Sequence, residues 1–216
     1  MLLPPETIAE LCTQHHRQHR NLIEKFTGDC SGDIYALQKA FPRSGTINTD
    51  FNALELAKKF AAEKAAALAV VTEKHYYYGE PSMLTGVAHL VDLPIIRWDF
   101  IVEPYQLMQS KLWGADAVRI IVPLLDQIEL NELYTEALKL GFEIIWELHS
   151  PEDAERLAGF EQNSMIYCNG DELTVKKAEN IVKNLPFTAP ALLDGDIAGV
   201  DNIPKKIFGG RIFFNK

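Results

Sequence analysis

The chain has 216 residues, 47% of them hydrophobic and 24% charged, with a formal net charge of −9. Such a composition suits one folded domain over residues 1–216 with a substantial core, and it excludes a disordered chain. The acidic balance argues against a nucleic-acid binder, which needs a basic surface to displace counterions from phosphates. No apolar run reaches the roughly 18 residues needed to cross a bilayer, so no membrane partner is expected.

The N-terminus opens with Pro4, Pro5 and Glu6 where a signal peptide would carry an apolar core. Cys12, Cys30 and Cys168 form no Cys-x-x-Cys pair, so neither a disulfide framework nor a zinc site is expected, and a reducing cytoplasm is the simplest compartment. A first helix is predicted over Pro5 to Phe26, inside an N-terminal extension of residues 1–32. His15 and His19 share one face of it at the i, i+4 spacing that a metal would use, but with no third ligand nearby a solvated face is the better reading.

From there short β-type runs alternate with helical stretches. Strands are predicted at Ile34–Leu37, Ala67–Val71, Pro94–Arg97, Ala117–Val122, Glu143–Glu147, Ser164–Tyr167, Ala191–Leu193 and Arg211–Phe214. Helices are predicted near Asn52–Ala65, Ser82–Val91, Glu103–Trp113, Asp126–Leu140, Pro151–Ala158, Val175–Asn184 and Val200–Ile207. Gly114, Gly141 and the pair Gly209-Gly210 precede strands at points where a left-handed residue would end a helix. Ser150-Pro151-Glu152-Asp153 reads as a cap, a first-turn proline and acidic early helical positions.

Eight strands in this alternation fit an α/β fold of the (β/α)8 TIM-barrel type, with an extra N-terminal helix and no eighth outer helix, since little sequence follows the last strand before Lys216. An uncovered flank would need the first helix, a homodimer or another protein partner to bury it. In such a barrel the chemistry belongs at the C-terminal ends of the strands. No metal or other cofactor is indicated.

The run Pro94-Ile95-Ile96-Arg97-Trp98-Asp99-Phe100-Ile101, followed by Pro104-Tyr105-Gln106, resembles the third strand and turn of the indole-3-glycerol phosphate synthase family, usually Leu-Arg-Lys-Asp-Phe-Ile and then Pro-Tyr-Gln. The resemblance runs from about residue 33 to the end. It implies a carboxy-lyase of tryptophan biosynthesis that closes the indole ring on a phosphorylated anthranilate-deoxyribulose. In that family the lysine of the motif is the general acid, and Trp98 stands in its place. An indole N–H is a single donor that does not exchange a proton usefully near neutral pH, so Trp98 either plugs the pocket or stacks on a planar ligand. Phe100 would line the aromatic wall.

The other strand ends extend the comparison. By resemblance Ala36 replaces an active-site glutamate, Gln38 a substrate-holding lysine and Phe41 a phosphate-binding serine. Glu73 and Tyr77, in Thr72-Glu73-Lys74-His75-Tyr76-Tyr77-Tyr78-Gly79, keep the family pattern; Tyr77 falls where an aromatic packs on the anthranilate ring, though the three tyrosines would equally form a cover. Strand four is expected to supply apolar lining only. Glu147 keeps the position of a catalytic glutamate, and as a buried carboxylate it is either a proton carrier or a structural anchor.

Cys168 replaces a ligand-binding asparagine, Asn169 remains an amide, and Gly170 replaces an arginine near the phosphate. Asp194 stands for a glutamate, Gly195 for a serine, and Asp196 for a glycine whose amide approaches phosphate, where two like charges about 4 Å apart repel by roughly 1 kcal/mol even in water. Two readings follow. One is a diverged barrel, in effect a pseudoenzyme, that binds a small aromatic ligand or a protein partner; the other is an active synthase, binding its phosphorylated sugar, with an acid from Glu147, Glu73 or Lys39.

Overall fold

The computed structural model describes residues 4, 7, 18–27, 32–42, 45–169, 173–195, 197 and 207–214. Eight parallel strands close into a barrel: β1 (Gly32–Leu37), β4 (Ala67–Val71), β5 (Ile95–Trp98), β6 (Ala117–Ile121), β7 (Glu143–Leu148), β8 (Ser164–Cys168), β9 (Ala191–Asp194) and β10 (Gly210–Phe213). β10 pairs with β1 and closes the ring. β2 (Ala40–Phe41) and β3 (Thr46–Ile47) form a small antiparallel hairpin beyond β1 that the sequence reading did not anticipate. The fold is a TIM barrel, as expected.

Outer helices α1 (Ala53–Ala62), α2 (Pro81–Leu90), α3 (Pro104–Trp113), α4 (Gln127–Lys139), α5 (Pro151–Glu155) and α6 (Val175–Lys183) lie between the strands in chain order. Their starts are chemically marked. Asn52, Asp126, Ser150 and Thr174 accept backbone N–H groups as side-chain caps, and Pro81, Pro104 and Pro151 sit in first turns. α5 ends at Glu155, sooner than the predicted Ala158. The expected helix at 200–207 lies almost wholly outside the described residues.

The strands alternate between two cores. Ile95, Val118, Ile144, Ile166 and Leu193 face the helices, whereas Ile96, Trp98, Ala117, Ile145, Met165 and Tyr167 fill the barrel axis. This parity decides which charged residues enter the barrel: Arg119 follows Ala117, and Glu143 and Glu147 flank Ile145.

The predicted first helix does not continue to Phe26. Residues 18–22 are non-helical and only Ile23–Phe26 turns, as a 3-10 helix. The reason is competition for backbone donors. Leu22 N and Ile23 N donate to the two oxygens of Glu143 at 2.5 and 2.8 Å, and Arg20 N donates to Asp116 Oδ1 at 3.0 Å. Glu143 and Asp116 sit at the N-terminal ends of β7 and β6, so this segment seals the bottom of the barrel with Leu22 fully buried. His19 lies in the same place, 3.6 Å from Glu143 and 3.8 Å from Asp116, rather than on a solvated helical face; His15 lies outside the described residues.

Gly114 and Gly141 adopt positive φ, as expected. Gly209 and Gly210 do not, and the need there is spatial: a Cβ on Gly210 would stand 2.3 Å from Gly32 O and 2.5 Å from the Phe26 ring. The bottom seal therefore depends on a bare backbone at β10.

Candidate active site

The motif letters that carry the family resemblance are mostly scaffold. Arg97 points outward from β5, where its guanidinium donates to Thr72 Oγ1, Asp99 Oδ2, Gln106 O and Ser110 Oγ at 2.8–3.2 Å and lies 4.5 Å from the Trp113 ring centre. Asp99 also accepts from Thr72 Oγ1 and from the amide of Phe100. Gln106 accepts from Val102 N and Glu103 N and donates to Phe100 O, which fixes the turn into α3. Arg97 is buried and Asp99 and Gln106 are half-buried, and each is engaged with its neighbours, so they hold the βα loop in shape rather than reaching the barrel mouth.

Trp98 faces the barrel axis and is 5% exposed. Its ring meets Tyr167 edge-on at 5.3 Å and Phe214 edge-on at 5.5 Å. Above it the Arg119 guanidinium carbon lies 4.6 Å from the ring centre, a cation–π contact between neighbouring strands. Together these groups occupy the C-terminal mouth. Phe100 continues the wall, 5.9 Å from the Arg119 guanidinium carbon and 6.5 Å from the ring of half-buried Tyr77.

Arg119 overturns the expectation that strand four gives only apolar lining. It is 8% exposed, and its Nε stands 3.0 Å from Glu147 Oε2. A single arginine within Ala-Val-Arg-Ile-Ile was the signal: on a strand covered on both faces a cation must find a buried partner. The inward parity of residue 119 makes that partner Glu147.

Glu147 is 3% exposed and has two hydrogen-bond partners on one oxygen and an ion-pair partner at the other. His149 Nε2 lies 2.9 Å from Oε1, Asn169 Nδ2 donates to the same oxygen at 2.9 Å, and Arg119 faces Oε2. Burial by itself would raise this carboxyl, but the Arg119 charge and the bonds from His149 and Asn169 hold it below its ordinary value. Conversely, the hydrogen bond to Glu147 raises His149 against the opposing effect of its partial burial. Glu147 is therefore an anion at neutral pH and His149 holds its proton more firmly than a free imidazole.

Other candidates fare differently. The carboxylate of Glu73 accepts from the amides of His75, Tyr76 and Tyr77 at 2.7–3.1 Å, so it shapes its own loop instead of facing the pocket. Ala36 is buried in the barrel axis, and the Gln38 amide donates to Ala40 O within the strand-one turn. Lys39 is half-buried in the same turn, where its carbonyl accepts from Asn48 N.

The Cys168 thiol is fully buried and pushed up to about 12 by desolvation, which leaves it inert as a nucleophile. Asp194, half-buried at the end of β9, lies near enough to Tyr167 to help burial raise that phenol well above its usual range. A Cβ on Gly195 would stand 2.2 Å from the Phe213 ring, so a serine there would displace it. Gly170 and Asp196 lie outside the described residues. Among the described residues no cluster of His, Cys, Asp and Glu could hold a metal.

Residues 6–174 match the family model described as Indole-3-glycerol phosphate synthase. An indole-3-glycerol phosphate synthase of Lachnospira eligens is 31% identical over 207 residues, covering 92% of this chain and 77% of that protein. One from Carboxydothermus hydrogenoformans is 41% identical over 125 residues, covering 58% of this chain and 47% of that protein, so the chain spans about half the length of that relative in the match. In fold alone, a crystal structure of phosphonopyruvate hydrolase superposes with a TM-score of 0.69 at 16% identity, covering 92% of this chain and 81% of that one. A family match over most of the chain, on a closed barrel with Glu147 and Asn169 joined at its mouth, means that this chain belongs to the indole-3-glycerol phosphate synthase family.

Proposed function

We propose that this barrel does not perform its family's ring closure and instead binds a small planar aromatic ligand at its rim. The observation that carries the reading is the packing of Trp98 between Tyr167 and Phe214 beneath Arg119, which fills the space over the barrel axis with side chains. A reaction that makes and breaks several bonds needs an acid and a base aimed at the reacting atoms. The polar group over the Trp98 ring is a guanidinium, a side chain that does not serve as a general acid, and the indole N–H offers no usefully exchangeable proton.

Two further features support it. The strand-one turn presents Ala36 and an internally bonded Gln38, and the steric contact at Gly195 leaves no room for a hydroxyl that would help hold phosphate. Tyr77 and Phe100, half-buried and tilted at 48° to each other, offer ring faces at the rim to a planar ligand. The test is binding of anthranilate followed by ring-proton NMR. Shifts at Tyr77 and Phe100 that disappear in Tyr77→Ala support the reading, and binding indifferent to that substitution overturns it.

A second reading, synthase activity in tryptophan biosynthesis, is favoured by one specific observation. The ionised Glu147 with Asn169 and a proton-bearing His149 is an intact acid–base arrangement beside the mouth. Turnover of the phosphorylated anthranilate-deoxyribulose distinguishes the two.

A further inference from the structure

His149 connects two environments. Its Nε2 faces Glu147 in the barrel mouth, while the residue also lines a separate cavity of about 270 Å³ with Ser150, Pro151, Leu173, Lys177, Asn180 and Ile181. That cavity lies outside the barrel axis, between the loop after β7 and the first turns of α6. The imidazole is the hinge between them: its side chain is 39% exposed, against 4% for Glu147.

The ring's orientation follows from its partner. An ionised carboxylate at 2.9 Å fixes the proton on Nε2, which leaves Nδ1 for a second partner. Among the described residues Nδ1 makes no hydrogen bond. When it too is protonated, the ring presents an N–H toward any acceptor in reach.

Among the described residues the charged and titratable groups about the ring come from four elements. Glu147 on β7 is offset by Arg119 on β6. Asp153 on α5 accepts from the amides of His149 and Ser150 and is buried. Lys177 on α6 lines the cavity itself. Glu147 and Asp153 are thus engaged on the protein side, and the cavity wall combines the His149 imidazole, the Lys177 side chain and the Asn180 amide with the apolar surfaces of Pro151, Leu173 and Ile181.

We infer that this cavity is a binding site for a small organic carboxylate, with the doubly protonated imidazole of His149 donating to the ligand's oxygen and the Glu147 carboxylate orienting the ring from behind. It does not depend on the aromatic rim site, which lies on the loops after β4 and β5, and either can fail without the other.

The experiment uses benzoate on the wild-type protein, with the His149 ring nitrogens followed by NMR through a pH titration. Binding that needs the second proton must raise the titration midpoint of His149, and affinity must fall toward about tenfold per pH unit once the pH exceeds that midpoint. His149→Asn and Lys177→Ala should each weaken benzoate at least about tenfold, the loss expected for one charge-assisted hydrogen bond. Retained melting temperatures would show that both variants fold. Benzoate that leaves the His149 midpoint unmoved, or fails to bind at pH 6, overturns the inference. So does an affinity that is constant with pH, whatever the variants do.

Discussion

The guanidinium of Arg119 is shared between Trp98 and Glu147: its central carbon lies 4.6 Å from the indole and its Nε 3.0 Å from the carboxylate. One side chain from β6 thereby ties an aromatic on β5 to an anion on β7, across three adjacent strands. Removing it should expose both dependencies. Arg119→Met strands a buried carboxylate, a change that costs roughly 3–5 kcal/mol. In Arg119→Met combined with Glu147→Gln the loss should be well below the sum of the single losses. Urea melts of the four proteins measure this, and strict additivity would mean the pair is not coupled.

Trp98 as a plug makes a gain-of-binding prediction. Trp98→Ala should lose about 3–5 kcal/mol, as large-to-small core changes do. With Tyr167, Phe214 and Val71 bordering the space and the Arg119 guanidinium over it, the void should accept indole in place of the lost ring, cation–π contact included. Added indole should restore part of the lost melting temperature in this variant and leave the wild type unchanged. Restoration in neither would mean that the mouth collapses around the missing ring.

The bottom of the barrel offers an independent test of the N-terminal seal. Leu22→Ala removes a fully buried side chain and should cost about 2–5 kcal/mol. Gly210→Ala should cost about 1–3 kcal/mol by pushing a methyl against Gly32 O and the Phe26 ring. Denaturant melts would check both, and a neutral Gly210→Ala would deny the close approach.

Stability should peak at mildly acidic pH. His149 is raised by Glu147, and His19 by the Glu143 carboxylate beside it, from an ordinary value of 6.5. Their contribution is complete below that value and disappears as pH climbs through the higher folded values. Glu147 is lowered from 4.5, so its contribution is present above that value and is lost as pH falls through the folded one. Both histidines are more than a third exposed, which keeps the alkaline slope shallow. Melting temperature against pH should show this maximum, and His19→Gln with His149→Gln should flatten its alkaline side.

Much of the architecture was legible because period and punctuation survive in the letters. Alternating apolar strands and the caps at Asn52, Asp126 and Ser150 announce the barrel. Arg97, Asp99 and Gln106 announce the family because they brace a loop, a task independent of what the mouth contains. Arg119 was overlooked because its meaning depends on strand parity and on Glu147, 28 positions later, becoming its neighbour across the sheet. The N-terminal segment misled for a similar reason: Glu143 and Asp116 claim its amides from far along the chain. Glu73 keeps the family pattern and is a candidate acid in the sequence, but the amides of His75, Tyr76 and Tyr77 engage its carboxylate within its own loop.

The filled mouth is tested most directly by turnover. The phosphorylated anthranilate-deoxyribulose should be incubated with a high concentration of the protein and indole product followed by fluorescence, with Glu147→Gln in parallel. No product from either protein is the expected result. Product from the wild type that Glu147→Gln abolishes would contradict the account, and would mean that acid–base chemistry proceeds beside Trp98 despite the packed rings.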